Sequence, residues 1–267
     1  MQNVIQHYLD ICKSTDFPYP QYTNTELIKS FDKLCTVNVS KMSNLCLDII
    51  KQFHKSIWRC NIYGHKPPIV AWQEQEIMAK VIRNRLKYLS TDNLTANNLL
   101  MGLSVTKLAP KVSIFRPALA RYTISEYLNG FKTIFDPYAG FSGRLLGAAS
   151  LNKKYIGQDS NSVTVNEAKQ IVNFLELDAE LFIKDSIYDT GEYKCLFTCP
   201  PYGNKENWCQ DIEELSSDEW ITQCLNNYKC RKYVFVVDKT EQYKKHIAEE
   251  LSNKSHFNNT KEYIIVI

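Results

Sequence analysis

The chain has 267 residues, 44% of them hydrophobic, with 32 Lys and Arg against 29 Asp and Glu and nine cysteines. The length suits one α/β domain plus an appendage, at roughly 100–200 residues per domain, and a net charge of +3 excludes a polycation. No CxxC pair occurs, so neither a zinc ribbon nor a redox dithiol is expected, and reduced cysteines of a cytoplasmic protein are.

The start, MQNVIQHYLDICKSTD, carries no basic leader and no apolar run long enough to span a bilayer, so no membrane association is expected. Ile5, Tyr8, Leu9 and Cys12 share helical spacing, and PYPQYTN (18–24) breaks the pattern. Thr25 is placed to cap a helix carrying Leu27, Ile28, Phe31 and Leu34. Residues 43–54 read as another helix. The aromatic and basic run Ile57 to Tyr63 leads to a loop at Gly64-His65-Lys66-Pro67-Pro68. A strong helix pattern spans 72–89, with Lys80, Arg83, Arg85 and Lys87 near one end, and a further helix spans 94–108. Residues 1–110 are therefore predicted to be a helical subdomain.

Charge is uneven along the chain. Between Lys51 and Ser125 there are twelve Lys and Arg against three acids. Such a segment fits a polyanionic partner, or a solvated helix face. Trp58, Arg59, Tyr63, Lys66, Arg83 and Arg85 are the candidate contacts to a nucleic acid. Aromatics interleaved with arginine also describe an ordinary subdomain interface.

From residue 111 to 267 strand and helix patterns alternate, as a doubly wound, mostly parallel sheet requires. Strands are predicted at 132–136, 154–158, 180–184, 194–198 and 232–237. Helices are predicted at 144–152, 162–176, 217–229 and 240–252. His256-Phe257 and Tyr263 to Ile267 would close the sheet as a hairpin. Ligands of such sheets bind at the carboxyl ends of the strands. Asp136, Asp159, Asp185 and Cys199 each fall at such an end and would line one crevice.

Two stretches carry the chemistry. In KTIFDPYAGFSGRLLG (132–147) a buried strand runs into a small-residue turn and then an apolar helix. Gly140 and Gly143 lack Cβ atoms, which permits a tight turn and close approach to a ligand. Asp159, about 20 residues on at the end of the next strand, is placed to bind ribose hydroxyls; the alternative is a surface helix cap. The turn has neither GxGxxG nor GK[ST], which disfavours a pyrophosphate ligand. In CLFTCPPYG (195–203) a buried strand leads into Cys199-Pro200-Pro201-Tyr202. Two prolines fix φ and remove two donors, leaving a stiff loop of carbonyl acceptors beside an aromatic ring. A flat base bearing an exocyclic amine would fit it.

DPYAGFSGRLLGA resembles the S-adenosylmethionine (SAM) motif of amino-group DNA methyltransferases, and TCPPYG resembles their catalytic [DNS]-P-P-[YF] motif. FRPALARYTISEYL (115–128) is similar to the SAM-contacting segment that precedes the glycine motif in one chain-order class of these enzymes. The resemblance covers roughly residues 111–267. It implies a Rossmann-like α/β core with a mostly parallel, seven-stranded-type sheet ending in an antiparallel hairpin, behind the N-terminal helical subdomain. It implies SAM as cofactor, held by Ala139, Gly140, Ser142, Gly143 and Asp159 within the crevice that Asp136 also lines. Asp185 would accept from the adenine amine, unless it merely closes a turn. Phe115, Arg116 and Pro117 would meet the methionine part; their alternative is a loop before an amphipathic helix. Arg116 would pair with the ligand carboxylate or a phosphate.

The implied reaction is methylation of adenine N6 or cytosine N4 in duplex DNA. The amine would be held by the Pro200 carbonyl and residue 199, and the flipped-out base stacked on Tyr202. Cys199 departs from the pattern: Asp, Asn or Ser normally stands there, and a thiol is a poor acceptor. GNKENW after the loop resembles the extension of TSPPY enzymes, with Trp208 as its aromatic. The acidic run 206–219 would repel a phosphate backbone, so DNA contact would come from the basic helical region or from a separate recognition subunit. The alternatives are an RNA base N-methyltransferase, which PPYG also resembles, and an inactive SAM-fold subunit that binds nucleic acid. Cytoplasmic or DNA-associated localisation follows from either.

Overall fold

A computed structural model of the chain describes residues 2–38, 40–62, 64–201, 206–207, 215–254 and 259–267. Its helices are α1 (Gln2–Ser14), α2 (Asn24–Thr36), α3 (Leu47–Phe53), α4 (Pro68–Trp72), α5 (Gln75–Arg85), α6 (Ala96–Val105), α7 (Pro117–Tyr127), α8 (Gly143–Ala149), α9 (Ser162–Leu175) and α10 (Ser217–Asn227). None of them is long and apolar enough to cross a membrane.

The chain forms two compact units. The first comprises residues 1–21, 55–113 and 204–210. Its centre is aromatic: Phe17 packs on Trp58 and Trp72 at ring separations of 5.6 and 6.0 Å. The single helix expected over 72–89 is broken at Gln73 and Glu74. Pro68 starts α4 at a first-turn position, where its missing N–H is harmless, and α5 begins afresh at Gln75. Helices α5 and α6 come close because Gly102 has no side chain; a Cβ there would lie 2.6 Å from Val81 Cγ1.

The second unit comprises residues 22–54, 114–203 and 211–267. Residues 22–54 thus belong with the α/β core, not with the helical segment that the reading of 1–110 placed them in. The reason is packing: α3 buries Ile49 and Ile50, and the Phe53 ring packs tilted against Phe174 of α9 at 5.2 Å. The cap of α2 is Thr23 rather than Thr25. Its Oγ1 accepts from the Glu26 N–H at 3.3 Å while Glu26 Oε2 accepts from the Thr23 N–H at 2.8 Å, a reciprocal capping box.

The unit is built on a seven-stranded sheet: β1 (Thr133–Asp136), β2 (Lys154–Asp159), β3 (Ala179–Ile183), β4 (Leu196–Thr198), β5 (Tyr233–Val237), β6 (Ile247–Lys254) and β7 (Asn259–Val266). Their order is β3-β2-β1-β4-β5-β7-β6. The first five are parallel, and β7 runs antiparallel to both β5 and β6. This is the Rossmann-like, mostly parallel sheet; its terminal antiparallel pair is β6 with β7, while His256-Phe257, expected as the first hairpin strand, lie outside the described residues. Strands covered on both faces read as continuous apolar runs, and TIFD, LFT and YVFVV do.

Successive side chains point to opposite faces. Ile134 packs with Leu119, Ile124, Leu145 and Ala148 of α7 and α8. Phe135 packs with Ile221 and Cys224 of α10 and with Tyr228. One expected helix is absent: 240–252 holds a 3-10 turn (Lys244–His246) and then β6. The apolar edge of β7 offers β6 a ladder, with Glu250 opposite Tyr263 and Leu251 opposite Glu262, and pairing overrides the helical period. Asp218 of α10 fixes the approach to that turn, accepting from the Glu241 and Gln242 amides at 3.0 and 3.1 Å.

Helices α7 and α8 meet at Gly147, where a Cβ would sit 2.4 Å from Ala120 Cβ and 2.7 Å from the Arg121 nitrogen. Overpacking of this kind costs about 1–3 kcal/mol. Gly147→Val should lower unfolding free energy by at least that much in guanidinium titration. Unchanged stability would show that the two helices separate without cost.

Candidate active site

β1 ends at Asp136, whose side chain is fully buried. A lone buried carboxylate is costly unless paired and hydrogen-bonded, and this one is both. Oδ2 accepts from Arg144 Nε and from the Tyr155 hydroxyl, each at 2.6 Å. Oδ1 accepts from Thr198 Oγ1 at 2.6 Å and from the Tyr138 amide at 3.2 Å. Tyr155 lies on β2, Thr198 on β4 and Arg144 on α8. Asp136 therefore joins both flanking strands and the helix after the glycine turn. It does not line the crevice, as its place at a strand end suggested, because its oxygens are consumed inside the protein. Burial pulls the Arg144 guanidinium down, but Asp136, Cys199 and Tyr155 beside it raise it, and the net shift is upward. Burial, then Asp136, pushes the Tyr155 phenol far up, so it acts as a donor.

The turn is tied to β2 by two amides. Ala139 N donates to the Gln158 carbonyl at 2.7 Å, and Gly140 N donates to Asp159 Oδ2 at 2.9 Å. Gly140 has φ of +54°, and a Cβ there would find nothing nearer than the Tyr138 carbonyl at 3.9 Å. Its glycine is required by the left-handed backbone, not by lack of space. Gly143 is the opposite case: a Cβ would sit 2.0 Å from the Phe115 carbonyl oxygen. Its missing side chain admits the segment before α7.

The Phe115 ring lies 5.1 Å from the Arg144 guanidinium and meets Phe197 edge-on at 6.0 Å. Phe115 and Gly143 are thus brought together. Pro117 opens α7 and is buried, while Arg116 directs Nη1 to Met42 Sδ at 3.9 Å.

Asp159 Oδ1 accepts from the Asn161 amide at 2.9 Å. The cap of α9 is Asn161, whose Oδ1 accepts from the Val163 and Thr164 amides, so the cap alternative for Asp159 does not hold. Burial raises the Asp159 carboxyl above its ordinary value, against the lowering effect of the two amides. A carboxylate offers about four acceptor sites, so room for ribose hydroxyls remains. Gly140's open left-handed backbone and this half-buried carboxylate suit a nucleoside. Asp185 is exposed, and its Oδ1 accepts from the Ile187 amide at 3.0 Å, which is the simple turn.

β4 carries the second motif. After Thr198, Cys199 is half-buried against the core, Pro200 is buried and Pro201 half-buried. Tyr202, Trp208 and residues 209–214 of the acidic run lie outside the described residues. The site also holds Arg144 and Thr198, which lie within the two motifs without an expected role, and Tyr155, His54 and Glu167, which lie outside them. His54 Nε2 lies 2.8 Å from Ser142 Oγ and its Nδ1 lies 3.3 Å from Glu167 Oε2. A histidine far upstream at a helix end carries no local signal of this.

In the first unit, Trp58 is buried beside Phe17 and is core, not a nucleic-acid contact. Lys66 pairs with Glu74, and the Arg85 stem packs near Gly102. Tyr63 lies outside the described residues. Arg59 and Arg83 are exposed, and Lys80, Arg83 and Lys87 recur on the solvent side at α-helical spacing.

No protein-family model matches the chain, and no curated protein does. Similar solved structures include a proposed class I SAM-dependent methyltransferase of Listeria monocytogenes. It is 13% identical, with a TM-score of 0.49 over 91% of this chain and 86% of that one. A tRNA (uracil-54, C5)-methyltransferase of Pyrococcus abyssi, in complex with S-adenosyl-L-homocysteine, is 18% identical, with a TM-score of 0.44 over 60% and 41%. An rRNA methylase of Streptococcus thermophilus is 13% identical, with a TM-score of 0.39 over 58% and 98%. The strand order itself defines the Rossmann-like sheet.

Removing one partner of a buried ion pair typically costs about 3–5 kcal/mol. Asp136→Asn should therefore destabilise the chain by that order in a denaturant titration. A loss below about 1 kcal/mol would show that Arg144 finds another partner.

Proposed function

We propose that the chain is a SAM-dependent methyltransferase acting on the exocyclic amine of a DNA base, adenine N6 or cytosine N4. One observation carries this reading: Asp136 binds Thr198, so the glycine turn and the Cys199-Pro200-Pro201 loop leave adjacent strands side by side. A nucleoside on Asp159 and an amine on the Pro-Pro carbonyls would then share one crevice. Bound SAM supplies a methyl group on a sulfonium sulfur. Asp159 would accept from the ribose hydroxyls, and the Gly140 turn would leave room for the ligand backbone. The Pro200 carbonyl would accept from the substrate amine and orient its lone pair, so that positioning carries most of the catalysis. Cys199 would contribute little as an acceptor, which places that task on the carbonyls. Tyr202 would stack on the extruded base.

The test is methyl transfer from labelled SAM to unmethylated duplex DNA and to RNA, followed by nucleoside mass spectrometry. N6-methyladenine or N4-methylcytosine in DNA supports the proposal. Methylation of RNA alone replaces the substrate class. SAM binding without transfer to either favours a binding subunit, or a recognition subunit supplied from elsewhere.

Cofactor binding should depend on pH. Ribose hydroxyls donate to the ionised carboxylate, and the pKa of Asp159 is raised above 3.8. SAM affinity should therefore fall as pH falls, through a midpoint above that value. Asp159→Asn should abolish this dependence and weaken binding roughly 10–100-fold at neutral pH. An unchanged titration by calorimetry would remove Asp159 from the ribose site.

If the exposed basic stripe of α5 and its end contacts phosphate, Lys80→Glu/Arg83→Glu/Lys87→Glu should weaken DNA binding. It should also flatten the salt dependence by about 0.9 in slope per lost phosphate contact. An unaltered slope would exclude that surface.

A further inference from the structure

Ser142 has φ of +62° and is 2% exposed. A left-handed conformation disfavours any side chain other than glycine's, yet here a serine occupies the turn that approaches the ligand. Its hydroxyl is held by His54 Nε2 at 2.8 Å. His54 follows α3, is fully buried, and donates its own backbone N–H to the Ile50 carbonyl at 2.8 Å. Glu167 of α9 faces Nδ1 at 3.3 Å, and Phe141 meets the ring edge-on at 5.3 Å. With Nδ1 donating to Glu167, Nε2 is left as the acceptor for the serine hydroxyl. A Ser–His–carboxylate series also describes an activated nucleophile. Burial of Ser142 leaves no approach for a carbonyl substrate, so the series acts on the backbone instead.

We propose that His54 is a positioning residue for the cofactor turn: through Nε2 it holds Ser142 left-handed and so sets the course of residues 140–143 from α3 and α9. The inference deepens the SAM reading and rests on it for the ligand, but the clamp has a readout of its own. Hydrogen exchange of the segment 138–150 is measured without ligand, beside SAM affinity by calorimetry.

His54→Leu should accelerate exchange there and weaken SAM binding about tenfold, roughly the cost of an unsupported left-handed residue. Ser142→Ala should do the same, and the double variant should be no worse than either. His54→Gln, whose side-chain oxygen reaches the same hydroxyl, should recover most of the affinity. In a Ser142→Gly background, where glycine adopts the conformation unaided, His54→Leu should change affinity less than twofold. An equal loss in both backgrounds would mean that His54 acts through core packing, and the proposal falls. It falls equally if Ser142→Ala changes neither exchange nor affinity, an arm that stands even where His54→Leu does not fold. If the wild-type chain binds no SAM, the cofactor reading fails while the exchange series still decides the clamp.

Discussion

The structure of the α/β unit turns on one buried carboxylate. Asp136 sits at the end of β1 and accepts from Arg144, Tyr155, Thr198 and the Tyr138 amide. Every donor comes from a different part of the site: the helix after the turn, the two flanking strands and the turn itself. Such a pair contributes little net stability compared with an apolar core of equal shape. It contributes geometry, because displacing either flanking strand or α8 would leave a donor or the buried charge itself unpaired. The distance between the two sequence motifs is thereby fixed at the level of single hydrogen bonds.

Glycines in the same turn serve different ends. Gly140 adopts a left-handed backbone over open space, whereas Gly143 has ordinary helical geometry but no room for a side chain. Ser142 between them takes the strained conformation without being glycine, and side-chain contacts hold it there. Strain concentrated at a ligand turn persists only where the surroundings over-determine it. The surroundings here are α3, α9 and the Phe141 ring, and both helices lie well away from residues 140–143 in sequence.

Much of the α/β unit was legible beforehand. Apolar runs mark three of the five parallel strands, and the alternation of strand and helix patterns marks the layered fold. Segment 240–252 was not legible. KKHIAEELSNK carries helical periodicity, and only the presence of β7 beside it decides for a strand. The same limit applies to the boundary near residue 110. Residues 22–54 look like more of the helical segment before them, and they join the sheet unit because Ile49, Ile50 and Phe53 find their partners there.

At the site, the sequence alone determined the turn, the proline loop and the acidic residue that ends β2, since each depends on local chemistry: absent Cβ atoms, fixed φ, a carboxylate at a strand end. Tertiary structure decided what those residues do. Asp136 became an internal anchor because Arg144, Tyr155 and Thr198 converge on it from three elements. Trp58 became core because Phe17 packs against it. His54 entered the site from residues 22–54 because α3 packs on α9. Convergence of distant side chains leaves no period or motif in a sequence, and only the folded chain brings such groups within hydrogen-bond reach.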